Sequence, residues 1–272
     1  MAGKNRETSL RNLKGGFPFR LSTTSFIFPA GWVENVARLG PCFDEIELLF
    51  FESRHAQSLP DPGIMKQLAL QAAELNIGYN IHLPIDIRLG SPSAEKRRHA
   101  VEVLKKVFAL SADLPVTTHT LHLVYDAPGH DPSSVDRWRD NIHGSLTRLL
   151  QWGVPSTALS IENIDYPLGR VESVITDLGL TACLDIGHLL LYGHGLRTTL
   201  CRWSQQTAIV HLHGVHNGRD HLSIECLSEK AIREVMAFLS TFSGVLSLEV
   251  FNLEDLKRSM DCLARCWSSR QT

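Results

Sequence analysis

The chain has 272 residues, 43% of them hydrophobic, and a formal net charge of −2. That length suffices for one sizeable core, and the near-neutral balance excludes a bulk basic field of the kind that draws proteins onto nucleic acid or anionic membranes. No stretch reaches the ~20 uninterrupted apolar residues of a membrane span.

Taken in chain order, the charged start MAGKNRETSLRNLKGG has no apolar segment of the signal-peptide kind and reads as a flexible arm over 1–16. Beyond it, short β-rich runs alternate with amphipathic ones. The strand candidates are PFRLSTTSF (18–26), EIELLFFE (45–52), GYNIHLPI (78–85), THTLHLVY (118–125), ALSIENID (158–165), TACLDIGHL (181–189), AIVHLHGV (208–215) and GVLSLEVF (244–251). Helical periodicity follows at 61–76, 92–113, 134–152, 228–241 and 253–268, with start signals at Asp61-Pro62, Ser91-Pro92 and Ser228-Glu229. Strands that alternate with helices in this way predict a single (β/α)₈ barrel over 17–272, with its active site at the C-terminal strand ends. No G-x-G-x-x-G follows the first strand, which weighs against a dinucleotide-binding sheet. The six cysteines form no C-x-x-C pair and read as free thiols in a reducing cytoplasm, Cys262 and Cys266 as packing residues.

The polar residues inside these runs fall late. The third strand offers His82, the fourth His122, the fifth Glu162 and the sixth Asp185, with His188 just beyond. The seventh offers His211 and His213, the eighth Glu249, and the segment HNGRDH then adds Arg219, Asp220 and His221. His119 has the opposite parity to His122 and should face the helices. His55, His99, His130, His143, His194 and His216 read as ordinary surface or packing histidines. A lone strand histidine or carboxylate is commonly structural, but alignment of so many at one barrel end points to a metal centre. Imidazoles mixed with carboxylates suit Zn²⁺, Mn²⁺, Fe²⁺ or Co²⁺, and the candidates exceed what one ion takes, so two or three ions are expected. Glu47 reads as a group orienting a ligand histidine, or as a barrel ion pair. Arg88, Tyr166 and Arg219 are candidates for substrate contact.

Glu162-Asn163, C-L-D-I-G-H at 183–188, H-L-H-G at 211–214 and Leu248-Glu249 resemble the xylose-isomerase-like barrel superfamily, which includes endonuclease IV. Within it, FRLSTTSFIFPA, IELLFFES, IHLPIDIRLG, ENIDYP, CLDIGHLLLYG and HLHGVHNGRDHLSI are similar to the cobamide-remodelling phosphodiesterase family (CbiR). The resemblance implies three metal pockets: His82, His122 and Glu162; then Glu162 as a bridge with Asp185, His211 and Glu249; then His188 and His221 with a nearby carboxylate. Where the endonuclease pattern has Asp-x-His, this chain has Arg219-Asp220-His221, so the carboxylate is one position out of register. His213 replaces an asparagine of that pattern and is expected as a ligand or a phosphate-contacting donor. The implied catalytic residues are Glu162, His188 and Glu249. The implied reaction is hydrolysis of the nucleotide-loop phosphoester of adenosylated cobamides to adenosylcobinamide phosphate and an α-riboside, the cobamide being the small-molecule substrate.

The strongest rival on the same barrel is a divalent-metal sugar isomerase or epimerase. It needs one ion, at Glu162-, Asp185-, His211- and Glu249-like positions. DNA repair fits poorly with the acidic balance, and a non-catalytic binding module leaves the ligand set without a purpose.

Overall fold

A computed structural model describes residues 10–54 and 58–269. The strands are β1 (Arg20–Thr24), β2 (Glu45–Leu49), β3 (Gly78–His82), β4 (Val116–Leu121), β5 (Leu159–Glu162), β6 (Thr181–Asp185), β7 (Thr207–Leu212), β8 (Gly214–His216), β9 (Arg219–Leu222) and β10 (Val245–Leu248). All but β8 and β9 close a parallel barrel in the order β1-β10-β7-β6-β5-β4-β3-β2. The helices are α1 (Trp32–Leu39), α2 (Pro62–Leu75), α3 (Ala94–Leu110), α4 (Pro132–Gln151), α5 (Glu172–Leu178), α6 (Ile186–Leu191), α7 (Leu196–Trp203), α8 (Glu229–Leu239) and α9 (Leu253–Ser268). Short strands buried on both faces need cover outside, and amphipathic helices need a surface for their apolar stripes. The (β/α)₈ barrel meets both demands.

Local chemistry sets the helix starts. The Asp61 carboxylate accepts the Ile64 N–H at 2.9 Å, and Ser228 accepts that of Ala231 at 3.2 Å. The third start falls at Ser93 and not at Ser91-Pro92, because it is the Ser93 hydroxyl that reaches the Lys96 N–H. His119 faces outward as expected, 4.1 Å from the Phe108 ring on α3, and burial lowers its pKa to about 4.

Four expectations are corrected. The run 181–189 is not one strand: it turns at Asp185 into α6, because the Asp185 carboxylate caps the new helix by accepting the His188 N–H at 2.6 Å. HNGRDH is not a plain loop but part of the β8–β9 hairpin. Its turn residues Asn217 and Gly218 both take positive φ, 50° and 73°, as a two-residue hairpin loop requires. Of the arm expected at 1–16, residues 1–9 lie outside the described residues. From Leu10 onward it is held: Leu13 is buried, Lys14 Nζ donates to the Leu75 carbonyl at 2.6 Å, and the Gly15 N–H donates to Asp44 at 2.8 Å. Finally, Tyr166 is buried, not substrate-facing. Its hydroxyl donates to the Leu123 carbonyl and its ring meets Trp138 edge-on at 5.7 Å. His55 lies outside the described residues.

The lower end of the barrel interior is polar yet paired within the protein. Glu45, fully buried at the start of β2, lies 2.6 Å from Arg20 Nε and accepts from Thr117 Oγ1 at 2.9 Å and Asn80 Nδ2 at 3.2 Å. Thr118, Ser160 and Thr181 continue the layer as a chain of hydroxyls spaced 2.6 and 2.8 Å. No described helix is long and apolar enough to cross a membrane.

Candidate metal centre

At the upper end of the barrel the alternation along each strand brings His82, Glu162, Asp185 and His211 inward, with His122 and Glu249 one residue past their strands. Glu162 stands between two groups. Its Oε2 lies 2.9 Å from His122 Nε2 and 3.4 Å from His82 Nε2; its Oε1 lies 3.4 Å from His188 Nδ1 and 3.7 Å from His211 Nδ1. His82, His122 and Glu162 can offer ligand atoms all within 4.8 Å of one another, and so can Glu162, Asp185, His211 and Glu249. One carboxylate thus serves both pockets.

The ligands are oriented from behind. His82 Nδ1 lies 3.0 Å from the Leu83 carbonyl, which fixes the proton there and leaves Nε2 bare toward Glu162. Glu47 is fully buried, accepts the Ser247 hydroxyl at 2.5 Å, and faces His211 Nε2 at 3.2 Å, turning His211 Nδ1 inward. Asn163 clamps Asp185 from both sides, its amide donating to the Asp185 carbonyl at 2.8 Å and its oxygen accepting the Asp185 N–H at 2.9 Å. Sequence reasoning noted Asn163 as part of a motif and missed this role.

Two observations test the fit to cations. Three buried carboxylates, Glu162, Asp185 and Glu249, crowd one pocket, a costly arrangement unless positive charge sits among them. Moreover His211 Nδ1 and Glu249 Oε2 face each other at 3.1 Å, fully buried, with no aligned hydrogen bond to either. Both fit a divalent ion. Without one, protons gather instead: burial lowers the His188 pKa, but Asp185 and Glu162 outweigh it and hold it up at about 10. Burial raises Glu162 and Glu249, but the facing histidines, His122 and His211 for Glu162 and His211 for Glu249, hold both well below the usual carboxylate range. Cys183 also touches this pocket, but burial pushes its thiol up, so it stays protonated.

The third expected pocket is differently built. His213 is fully buried; its Nδ1 accepts the His221 N–H at 2.9 Å and its Nε2 lies 3.1 and 3.2 Å from the two Asp185 oxygens. These contacts tie Asp185 to the hairpin, and with His188 and His221 the ring also makes a third group whose ligand atoms lie within 4.8 Å of one another. Gly187 makes room for it, since a Cβ there would sit 1.9 Å from His213 Cε1. His221, at a left-handed φ of 53°, stacks on His213 at 4.2 Å and lies 3.7 Å from Glu249 Oε2. Asp220, though out of register, reaches His221 Nδ1 at 3.1 Å.

Above the ligands opens a cleft of about 650 Å³, lined at its floor by His82, His122, Glu162, His188, His221 and Glu249. Arg88 lines it, its guanidinium pinned by donating to the Ile85 and Ile87 carbonyls at 2.8 Å each. Arg219 is exposed on β9 and does not line the cleft.

Residues 33–266 match the model of the xylose isomerase-like TIM barrel family. The chain belongs to that family. No curated protein matches it by sequence. Among solved structures it is similar to a D-tagatose 3-epimerase-like protein (TM-score 0.76, 18% identity, 93% of this chain and 100% of that one). It is also similar to an L-ribulose 3-epimerase (TM-score 0.71, 18% identity, 93% and 96%). Endonuclease IV from Thermus thermophilus aligns with TM-score 0.67 at 18% identity, over 92% of this chain and 99% of that one. At such identities the likeness establishes the fold, which the epimerases and the endonuclease share.

Proposed function

We propose that the protein is a metal-dependent phosphodiesterase that hydrolyses the nucleotide-loop phosphoester of adenosylated cobamides, releasing adenosylcobinamide phosphate and an α-riboside. The observation that carries the reading is the second pocket. His82 and His122 converge on Glu162 Oε2, away from the pocket that Glu162 shares with Asp185, His211 and Glu249, and a one-ion enzyme has no use for it. Divalent ions, which His82, His122, Glu162, Asp185, His211 and Glu249 would hold, would supply Lewis acidity and lower the pKa of a water to near ~7.

The chain's own residues do the rest. Glu162, through its two oxygens, sets the spacing of the pockets. Glu249, at the cleft floor, orients the water that adds to phosphorus as the phosphorus–ribose oxygen bond breaks. His188 Nδ1 is occupied by the Asn163 carbonyl at 3.2 Å and Asp185 at 3.2 Å. Its other nitrogen is left for the cleft, where His188 as the imidazolium gives the Nε2 proton to the departing ribose oxygen and is reprotonated by the proton that the attacking water loses. Arg88 steadies the phosphoryl charge.

The test is mass spectrometry of adenosylcobalamin incubated anaerobically with the metal-loaded protein. α-Ribazole and adenosylcobinamide phosphate, lost on chelation, are expected; unchanged cobamide with two ions bound per chain refutes the reading. The second reading, a divalent-metal sugar epimerase or isomerase, draws on the four-residue pocket, which suffices for one ion. It predicts full activity at one metal equivalent and solvent-proton exchange at a sugar carbon.

A further inference from the structure

The cleft is chemically mixed. Beside the histidines and carboxylates, part of the lining is apolar, Phe51, Phe251 and Ile85, while Glu52, Arg54, Asp86 and Arg88 bring charged groups to the same cleft. Phe51 follows β2 and Phe251 follows β10, the two strands that flank β1 in the barrel, while Phe26 follows β1 itself. Three adjacent strand-to-helix loops thus each present a phenylalanine just past the strand end. Phe26 is 56% exposed and Ile85 39%. Phe51 and Phe251 stand edge to face, centroids 6.2 Å apart at 80°. Each also braces a histidine of the floor, Phe51 meeting His82 at 5.2 Å and Phe251 lying 4.8 Å from His221. Water-facing aromatic surface at the rim of a cleft is the mark of a binding wall.

We infer that this wall is the subsite for a planar aromatic base. Resting on the phosphodiesterase reading, the inference places the riboside half of the substrate in the cleft, its base on the phenylalanine wall and its ribose oxygen over the metal-ligand floor. A cleft of about 650 Å³ takes a nucleoside-sized group, so the corrin macrocycle stays at the mouth. Because the wall reads faces and not edges, it grades bases by apolar area. Benzimidazoles should bind better than purines, and no single ring substituent should be obligatory.

The experiment is isothermal titration of the metal-loaded protein with α-benzimidazole riboside, α-adenine riboside and ribose. It compares the wild type with Phe51→Leu and Phe251→Leu, and follows adenosylcobalamin turnover in parallel. The benzimidazole riboside is expected to bind wild type at least about tenfold more tightly than ribose, the adenine riboside in between. Each variant should weaken it about five- to tenfold while leaving ribose unchanged. Equal binding of riboside and ribose, or variants that bind riboside as wild type does, overturns the inference. The two readings fail separately. Wall-dependent riboside binding without cobamide turnover removes the reaction and keeps the subsite; turnover without riboside preference removes the subsite and keeps the reaction.

Discussion

Glu45 and Glu47 lie two residues apart on β2, both fully buried inside the barrel, and their surroundings differ in kind. Glu45, in the lower layer, meets Arg20, Thr117 and Asn80, a cation and two hydrogen-bond donors of the protein itself. Glu47, one layer up, meets Ser247 and then a histidine whose far nitrogen faces Glu249 with no aligned hydrogen bond. The lower carboxylate has an arginine within the protein, whereas the upper ones share a pocket with histidines alone. Burial of polar groups alone does not mark a functional site; what marks it is polarity aimed at a common point and left without internal partners.

Neutralising one carboxylate in each layer separates the two. Glu162→Gln should remove the bridge between pockets, lower the proposed phosphodiester hydrolysis by about a thousandfold, and cut bound metal measured by elemental analysis. A variant retaining both activity and metal content would mean that the two pockets do not depend on their shared carboxylate. Gly187→Ala should come next. The added methyl displaces His213 from Asp185, and metal affinity should fall about 10- to 100-fold, as when a group behind a ligand is lost. Competitive chelator titration reads this directly, with circular dichroism checking that the barrel is intact. Glu47→Gln keeps the shape but removes the charge behind His211, and roughly tenfold weaker metal binding is expected at the lower end of the same range.

The remaining effect lies in the lower layer and depends on pH. Burial raises the Glu45 pKa to about 7, with Arg20 pulling against it. The folded value exceeds the unfolded one, so the group's contribution to stability is full below about pH 4.5 and is lost as pH rises through about 7, up to about 3 kcal/mol in all. Glu45→Gln should therefore melt higher than wild type at pH 8 and no higher at pH 5, with hydrolysis unchanged. Thermal unfolding at the two pH values checks the sign.

Much of this was legible in the sequence, for reasons that can be located. Period-two alternation along β3 to β7 placed His82, Glu162, Asp185 and His211 on the inner face without any knowledge of tertiary structure. His119 was assigned outward by the same parity. The failures occur where the deciding contact is remote. Cys183 to Leu189 is a short apolar run in which strand and helix periods cannot be told apart, and the break at Asp185 is set by Asn163 and by the cap to His188. Asn217-Gly218 is by contrast a local hairpin signal that the sequence itself carries, both residues taking positive φ. Tyr166 resembled a loop residue because its partner, the Leu123 carbonyl, lies on a different strand-to-helix segment. Phe51 and Phe251 were hidden among apolar strand residues, since nothing local separates a core phenylalanine from one that lines a cleft.

The close approach of position 187 to the His213 ring has a consequence for how such a sequence changes over time. Position 187 is not free to vary first: a side chain there is tolerated only once the ring at 213 has been replaced by something smaller. The costs of the two changes are therefore not independent, and the second is cheaper after the first than it is alone. Lineages that lose the ring can later fill the gap, whereas lineages that keep the ring are held to glycine.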